Sequence, residues 1–205
     1  MAVIKRGVHG NVLTAACSGG SSFIIPPDIQ HRYHLTEGME LSEEETQKLM
    51  HECRVHQAGE KAVAFLASRE HSRRELEQKL AQRGFSPEEI APALGSLEKR
   101  GLQSDRRFAE QWVRSRAERM AEGPVKLAAG LQARGIEQSL AQEVTDAVIS
   151  ECGRINMLNR AYEKLLPKSR GIRERLIASL VRKGFSYHEV CRFLENIEDS
   201  DVGEG

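Results

Sequence analysis

The sequence predicts a mainly α-helical protein: tandem three-helix repeats in an elongated, curved array, preceded by a small β-containing N-terminal lead. The first observation is a pattern of two leucines, a cation, a glycine and an apolar residue that occurs three times: Leu76, Leu80, Arg83, Gly84 and Phe85; Leu127, Leu131, Arg134, Gly135 and Ile136; Leu176, Leu180, Lys183, Gly184 and Phe185. The glycines are 51 and 49 residues apart, a period of about fifty that is typical of helical repeats. The second is composition: 5% of the residues are aromatic and 29% are charged, which suits thin helical layers.

The recurring pattern predicts a helix with a defined end. Leucines four apart share one helix face, and a cation in the last turn interacts favourably with the helix dipole. The glycine stands where a left-handed residue closes the helix. The leucines are therefore expected in the core, and the pattern marks the register of three repeats.

Residues 1–57 form the predicted lead. Short β-favouring runs at 11–17 and 22–25 lie on either side of a turn at 18–21, which predicts a hairpin or small sheet. Residues 28–35 are expected to form one or two helical turns. Ser42 and Glu45 form a capping box that starts a helix, which is expected to reach Ser68, with Gly59 as the point at which it could break.

The three repeats are expected at 58–102, 103–152 and 153–198, followed by a flexible acidic tail at 199–205. In the first repeat, Ser72 with Glu75 and Ser86 with Glu89 form capping boxes, and the helices are predicted at about 59–68, 72–83 and 86–100.

In the second repeat, Ser104 and Asp105 are the expected helix caps, and Gly123 with Pro124 ends the first helix. Trp112 is expected in the core, because a tryptophan on an amphipathic helix is more often buried than a stacking platform for bases.

In the third repeat, Pro167 is expected to stop the first helix, and a capping box at Ser186 and Glu189 starts the last one. The predicted apolar positions of the first helix are Ile155, Leu158, Tyr162, Leu165 and Leu166.

The chain is neutral overall, with 30 basic and 30 acidic side chains, but the charges are unevenly distributed. Residues 153–196 carry ten basic and four acidic side chains, whereas residues 1–57 carry five and seven. Four cysteines lie far apart without a Cys-x-x-Cys pair, and we find neither a signal peptide nor a long apolar span. Reduced thiols in the cytoplasm, without a membrane, are therefore expected.

Common catalytic motifs are absent: the chain has no phosphate-binding loop, dinucleotide fingerprint, His-Glu-x-x-His or Gly-x-Ser-x-Gly. This argues against an NTPase, a dinucleotide enzyme or a serine hydrolase. His31, His34, His51, Cys53 and His56 are the nearest approach to a metal-binding set, but their spacings match no common zinc module. No catalytic residue, cofactor or metal is therefore assigned, and a zinc enzyme is kept only as a minor alternative.

Clustered arginines allow two interpretations. Guanidinium groups bind phosphate and carboxylate through forked hydrogen bonds, which favours contact with a polyanion or an acidic protein. The alternative is a solvated helix face, neutralised by nearby glutamates such as Glu110, four residues before Arg114. Charge pattern alone favours the solvated face.

The run from Ala62 to Glu151 resembles the RecX family, bacterial regulators of the recombinase RecA. The matching residues are Ala64 to Arg69, Ser72, Glu75, Leu76, Lys79, Leu80, Arg83 to Phe85, Leu97, Gly101, Ser104, Asp105, Arg107 to Ala109, Gly123, Leu131 and Arg134 to Ile136. The third repeat fits the tandem plan of the family more loosely, and residues before Ala58 lie outside the shared core.

The resemblance implies a non-enzymatic, curved helical monomer that lies in the groove of the RecA filament on single-stranded DNA and inhibits its growth, ATPase and strand exchange. It thus implies roles in homologous recombination, DNA repair and the SOS response. Candidate RecA or DNA contacts, chosen on charge and placement, are Arg69, Arg73, Arg74, Arg106, Arg107, Arg114, Arg116, Arg119, Arg173, Arg175, Arg182 and Lys183. The main alternative is a direct DNA-binding module of helix-turn-helix type, suggested by short helices with basic faces.

Overall fold

A computed structural model of the chain describes residues 1–7, 13–169 and 172–202; of residues 198–202 it describes the backbone only. The chain divides into two compact units. The first contains residues 1–69 and 75–103, and the second contains 70–74 and the chain from Ser104 onward.

The lead contains a four-stranded antiparallel sheet in the order β3-β2-β1-β4. The strands are β1 (Ala2–Arg6), β2 (Leu13–Cys17), β3 (Ser22–Ile25) and β4 (Glu40–Leu41), and α1 (Pro27–Arg32) follows β3. Every second residue is buried, as in Ala2 and Ile4 of β1 and Leu13 and Ala15 of β2, which is expected for a sheet with one covered face. The strand predicted at 22–25 is confirmed as β3, and the strand predicted at 11–17 is confirmed as β2 over residues 13–17. Residues 11 and 12 lie outside the described residues. Strands β1 and β4 were not predicted from the sequence.

The first unit continues with α2 (Glu43–Leu66), most of α3 (Arg73–Ala81) and α4 (Pro87–Lys99). The capping box of Ser42 and Glu45 is confirmed, and so is that of Ser86 and Glu89. Helix α2 runs unbroken through Gly59, because an interior glycine weakens a helix without ending it.

The second unit consists mainly of α5 (Asp105–Met120), α6 (Pro124–Gln132), α7 (Gln138–Cys152), α8 (Arg154–Ser169), α9 (Arg173–Arg182) and α10 (Tyr187–Val202). The expected stop at Pro167 is wrong by two residues: the proline lies inside the last turn of α8. Helix α10 includes residues 199–202 of the expected tail, and 203–205 lie outside the described residues. Trp112 packs, partly buried, against the core of this unit, as predicted.

The recurring helix end closes in the same way at all three places. Gly84, Gly135 and Gly184 have φ angles of +82°, +86° and +99°. The N–H of the next residue donates to the carbonyl of the second leucine, at 3.3 Å for Phe85, 3.2 Å for Ile136 and 3.4 Å for Phe185. These bonds, the left-handed glycine and the buried apolar residue define a Schellman closure.

Within the second unit, a neighbouring segment of the chain also forms a hydrogen bond to two of these helix ends. The Ser72 hydroxyl donates to the Arg134 carbonyl at 2.8 Å. The Gly123 N–H donates to the Lys183 carbonyl at 2.7 Å, and a Cβ on Gly123 would lie 2.5 Å from the Gly184 carbonyl carbon. The residue before the closing glycine therefore helps to join successive segments through its backbone.

Candidate interaction surface

Three predicted contact arginines on α5 form ion pairs within the second unit. Arg106 binds both carboxylate oxygens of Glu143, at 2.9 and 3.0 Å. Arg107 pairs with Glu70 at 2.9 Å, and Arg114 pairs with Glu151 at 2.9 Å. The hydrogen bonds from Arg106 hold the pKa of Glu143 below its usual range. These partners lie far away in sequence, so the i,i+4 pair suggested for Arg114 is not the ion pair observed.

Arg107, Arg114 and Arg119 line one polar groove on α5, of about 440 Å³. Glu110 and Glu118 also line it, so the groove is mixed in charge. Exposed ion pairs contribute little to stability, and a stronger partner can replace them. The first two arginines can therefore contact another molecule only in competition with their own glutamates.

Arg116 has a structural role. Its guanidinium lies 5.1 Å from the centre of the Trp112 ring and 3.5 Å from the Glu122 carboxylate, whose side chain is 7% exposed. Arg134 lies 4.7 Å from the same ring. Cation–π contacts of this kind fix the indole.

The cations near the start of α3 are also engaged. Arg69 pairs with Glu75 at 3.2 Å. The Arg73 N–H donates to Asp105 Oδ1 at 2.7 Å, so the predicted cap Asp105 serves α3. The side chain of Arg74 covers Gly135, where an added Cβ would lie 2.7 Å from Arg74 Cδ.

Two of the more available cations, Arg175 and Arg182, lie in residues 153–198, the segment predicted as a third repeat. Arg173, Arg175 and Arg182 are exposed. Arg182 bonds only to neutral groups, the Ala178 carbonyl and the Ser179 hydroxyl. Lys183 is less available, because its Nζ donates to the Met120 carbonyl at 3.0 Å. Among described side chains, Arg119, Arg175 and Arg182 make no ion pair.

The structure also contains a repeated arginine–glutamate pair that was not predicted from the sequence. Arg54 Nε lies 2.9 Å from Glu89, and Arg154 Nε lies 2.7 Å from Glu189. Both arginines stand thirty residues before a closing glycine, so the period of the repeats could have revealed them. Arg54 also donates to the Gly84 carbonyl at 2.6 Å, which ties α2 to the end of α3.

No cluster of three or more His, Cys, Asp or Glu side chains suited to a metal ion occurs in the part of the chain that the structure describes. Likewise, none of the described helices combines the length and apolar character needed to span a membrane.

Comparison with known proteins identifies two of the repeats. Residues 58–97 match the family model of the first RecX three-helix domain, and residues 104–144 match that of the second. The regulatory protein RecX of Chromohalobacter salexigens is 40% identical over 133 residues, which cover 63% of this chain and 85% of that protein. The regulatory protein RecX of Halorhodospira halophila is 40% identical over 131 residues, which cover 63% and 81%.

Solved structures show the same fold. A crystal structure of regulatory protein RecX superposes with a TM-score of 0.76 over 97% of this chain and all of that one, at 19% identity. RecX from Lactobacillus salivarius superposes with a TM-score of 0.62 over 71% of this chain and 97% of that one, at 20% identity. With these helical domains and relatives that are named regulatory proteins, the chain belongs to the RecX family of regulatory proteins.

Proposed function

We propose that this protein binds the groove of the RecA filament on single-stranded DNA and inhibits filament growth, ATP hydrolysis and strand exchange. The observation that supports it most is the pair of RecX three-helix domains at 58–97 and 104–144. The structure contributes a chemical reason: it exposes cations, Arg119, Arg175 and Arg182, that no described carboxylate neutralises. Such groups attract acidic protein surfaces and phosphates.

Two of these arginines provide a direct test. Arg175→Glu combined with Arg182→Glu should raise the concentration that half-inhibits RecA strand exchange by about tenfold, because charge reversal replaces attraction by repulsion. The circular dichroism spectrum should not change, since neither side chain is buried. Inhibition equal to that of the unmodified protein would show that these cations are not contacts.

Arg106→Glu is the matched control. Its guanidinium is already bound by Glu143, so a smaller loss of inhibition is expected, with a small loss of stability. The same proteins should be titrated onto DNA without RecA. Strong, sequence-dependent duplex binding with a steep salt dependence would instead favour a direct DNA-binding module.

A further inference from the structure

The third repeat differs from the others in the packing of its first and third helices. Helices α2 and α4 lie directly against each other, as do α5 and α7. Between α8 and α10 the described backbones make no comparably close approach. The two helices are linked instead by the ion pair of Arg154 and Glu189 and by the edge-on contact of the Tyr162 and Phe193 rings, 5.7 Å apart.

This arrangement leaves a cleft of about 730 Å³, which we call the α8–α10 cleft. Ile155, Phe193 and Ile197 form its accessible apolar surface, and the buried Leu158 is part of its wall. Ile155, one of the predicted apolar positions of this helix, is 70% exposed. A single exposed isoleucine needs no explanation, but one that borders an apolar cleft with a half-buried phenylalanine marks a contiguous surface suited to a partner.

The charges beside the cleft are mainly positive. Arg154 and Arg192 line it, together with Glu189, which is bound by Arg154. Arg192 is exposed and makes no ion pair with any side chain that the structure describes. Residues 153–196 as a whole carry six more basic than acidic side chains. An occupant with acidic groups at its edges is therefore favoured.

The shape of the cleft favours a helix. Its lining runs along α10 from Ser186, directly before the helix, to Ile197, about 16 Å at 1.5 Å per residue, or three helical turns. An extended peptide binds by pairing with an exposed sheet edge, and two helices provide none, because their backbone groups are already bonded. An amphipathic helix needs only apolar anchors at i, i+3 or i+4, and i+7.

We propose that the α8–α10 cleft binds an amphipathic helix with acidic flanks, supplied by the filament protein that this chain regulates. This assignment of the partner rests on the proposed function. The apolar face of the helix covers Ile155 and Phe193, and its carboxylates reach Arg192. The cleft thereby adds a specific anchor to the general attraction of the exposed arginines.

The test uses the full chain with RecA, single-stranded DNA and ATP. Ile155→Glu should raise the half-inhibitory concentration of RecA ATP hydrolysis tenfold or more, and Arg192→Glu several-fold. Val125→Glu is the matched control, because Val125 is 68% exposed on α6, outside the cleft. It should change inhibition less than twofold. Unchanged circular dichroism spectra exclude misfolding.

The outcomes separate this inference from the proposed function. If the unmodified chain inhibits and Ile155→Glu inhibits equally, the cleft proposal is overturned and the proposed function stands. If the unmodified chain does not inhibit, the proposed function and the partner assignment both fail.

A second measurement addresses the chemistry directly. A fluorescent three-turn peptide with leucine anchors and glutamate flanks should bind the unmodified chain more tightly than its lysine-flanked counterpart, and Ile155→Glu should abolish the difference. Equal binding of the two peptides would refute the acidic helix.

Discussion

Alanine substitutions at three glycines of the second unit distinguish two ways of lowering the free energy of unfolding. One is an unfavourable backbone conformation, and the other is a close contact with a neighbouring segment. The three positions are Gly123, Gly153 and Gly184. Gly153 has a φ of +75°, and an added Cβ would meet only the Asn156 side chain, 2.9 Å from its Nδ2. Gly123 has an ordinary φ of −80°, but its Cβ would lie 2.5 Å from the Gly184 carbonyl carbon. Gly184 combines both features: its φ is +99° and its Cβ would lie 2.7 Å from the backbone nitrogen of Lys126.

The expected costs follow from these geometries. Gly153→Ala should lower the free energy of unfolding by about 1–2 kcal/mol, the cost of holding an alanine at a sparsely populated positive φ. Gly123→Ala should cost about 1–3 kcal/mol, because backbone atoms must separate. Gly184→Ala combines the two terms, about 2–5 kcal/mol.

Urea unfolding followed by circular dichroism at 222 nm measures all three costs. The first unit has the same sequence in every variant, so differences between them report on the second unit. Two results together would contradict close packing between the start of α6 and the end of α9. The first is that Gly184→Ala is as stable as Gly153→Ala, and the second is that Gly123→Ala does not change the free energy of unfolding.

Three further predictions concern other contacts. Hydrogen bonds from Arg54 lower the pKa of Glu89, so the stabilisation from this pair is present above pH 4.5 and lost as the pH falls through the lowered pKa. Arg54→Gln should cost about 1–2 kcal/mol at pH 7 in urea unfolding. The cost should become smaller as the pH falls through that pKa, and the part due to the bond with the Gly84 carbonyl should remain; a cost that does not change with pH would contradict the ion pair. Burial raises the pKa of the Cys53 thiol to about 11, so little of it is thiolate at pH 8. Dithiobis-nitrobenzoate should therefore modify Cys53 far more slowly than the other three cysteines, Cys17, Cys152 and Cys191. Comparable modification rates, followed by mass spectrometry, would contradict the burial of Cys53. An added Cβ on Gly130 would overlap the indole of Trp112, the single tryptophan. Gly130→Ala should therefore shift the fluorescence spectrum of Trp112 and lower the free energy of unfolding by about 1–3 kcal/mol. An unchanged spectrum would contradict this packing.

Local signals predicted the helix ends well. Ser42, Ser86 and Gly84 act within a few residues of their own position, through capping bonds and a left-handed φ, and the structure shows each in its expected role. The stop at Pro167 was misplaced because a proline removes one N–H but still permits the last turn of a helix to finish.

The contacts between residues far apart in sequence could not be predicted from local sequence patterns. Glu143, Glu151 and Glu70 neutralise arginines 37 residues away in either direction, and nothing local distinguishes them from other surface glutamates. Ile155 fits a helical apolar pattern, yet it is exposed because α8 and α10 do not close over it. Periodicity predicts which face of a helix is apolar, but only tertiary packing decides whether that face is covered.

RecA-catalysed ATP hydrolysis on single-stranded DNA tests the central claim most directly. Titration of the purified chain should slow hydrolysis at well below one molecule per RecA subunit, because a chain bound in the groove that blocks filament growth affects many subunits. Hydrolysis that stays unchanged up to equimolar amounts, at both low and physiological salt, would contradict the account.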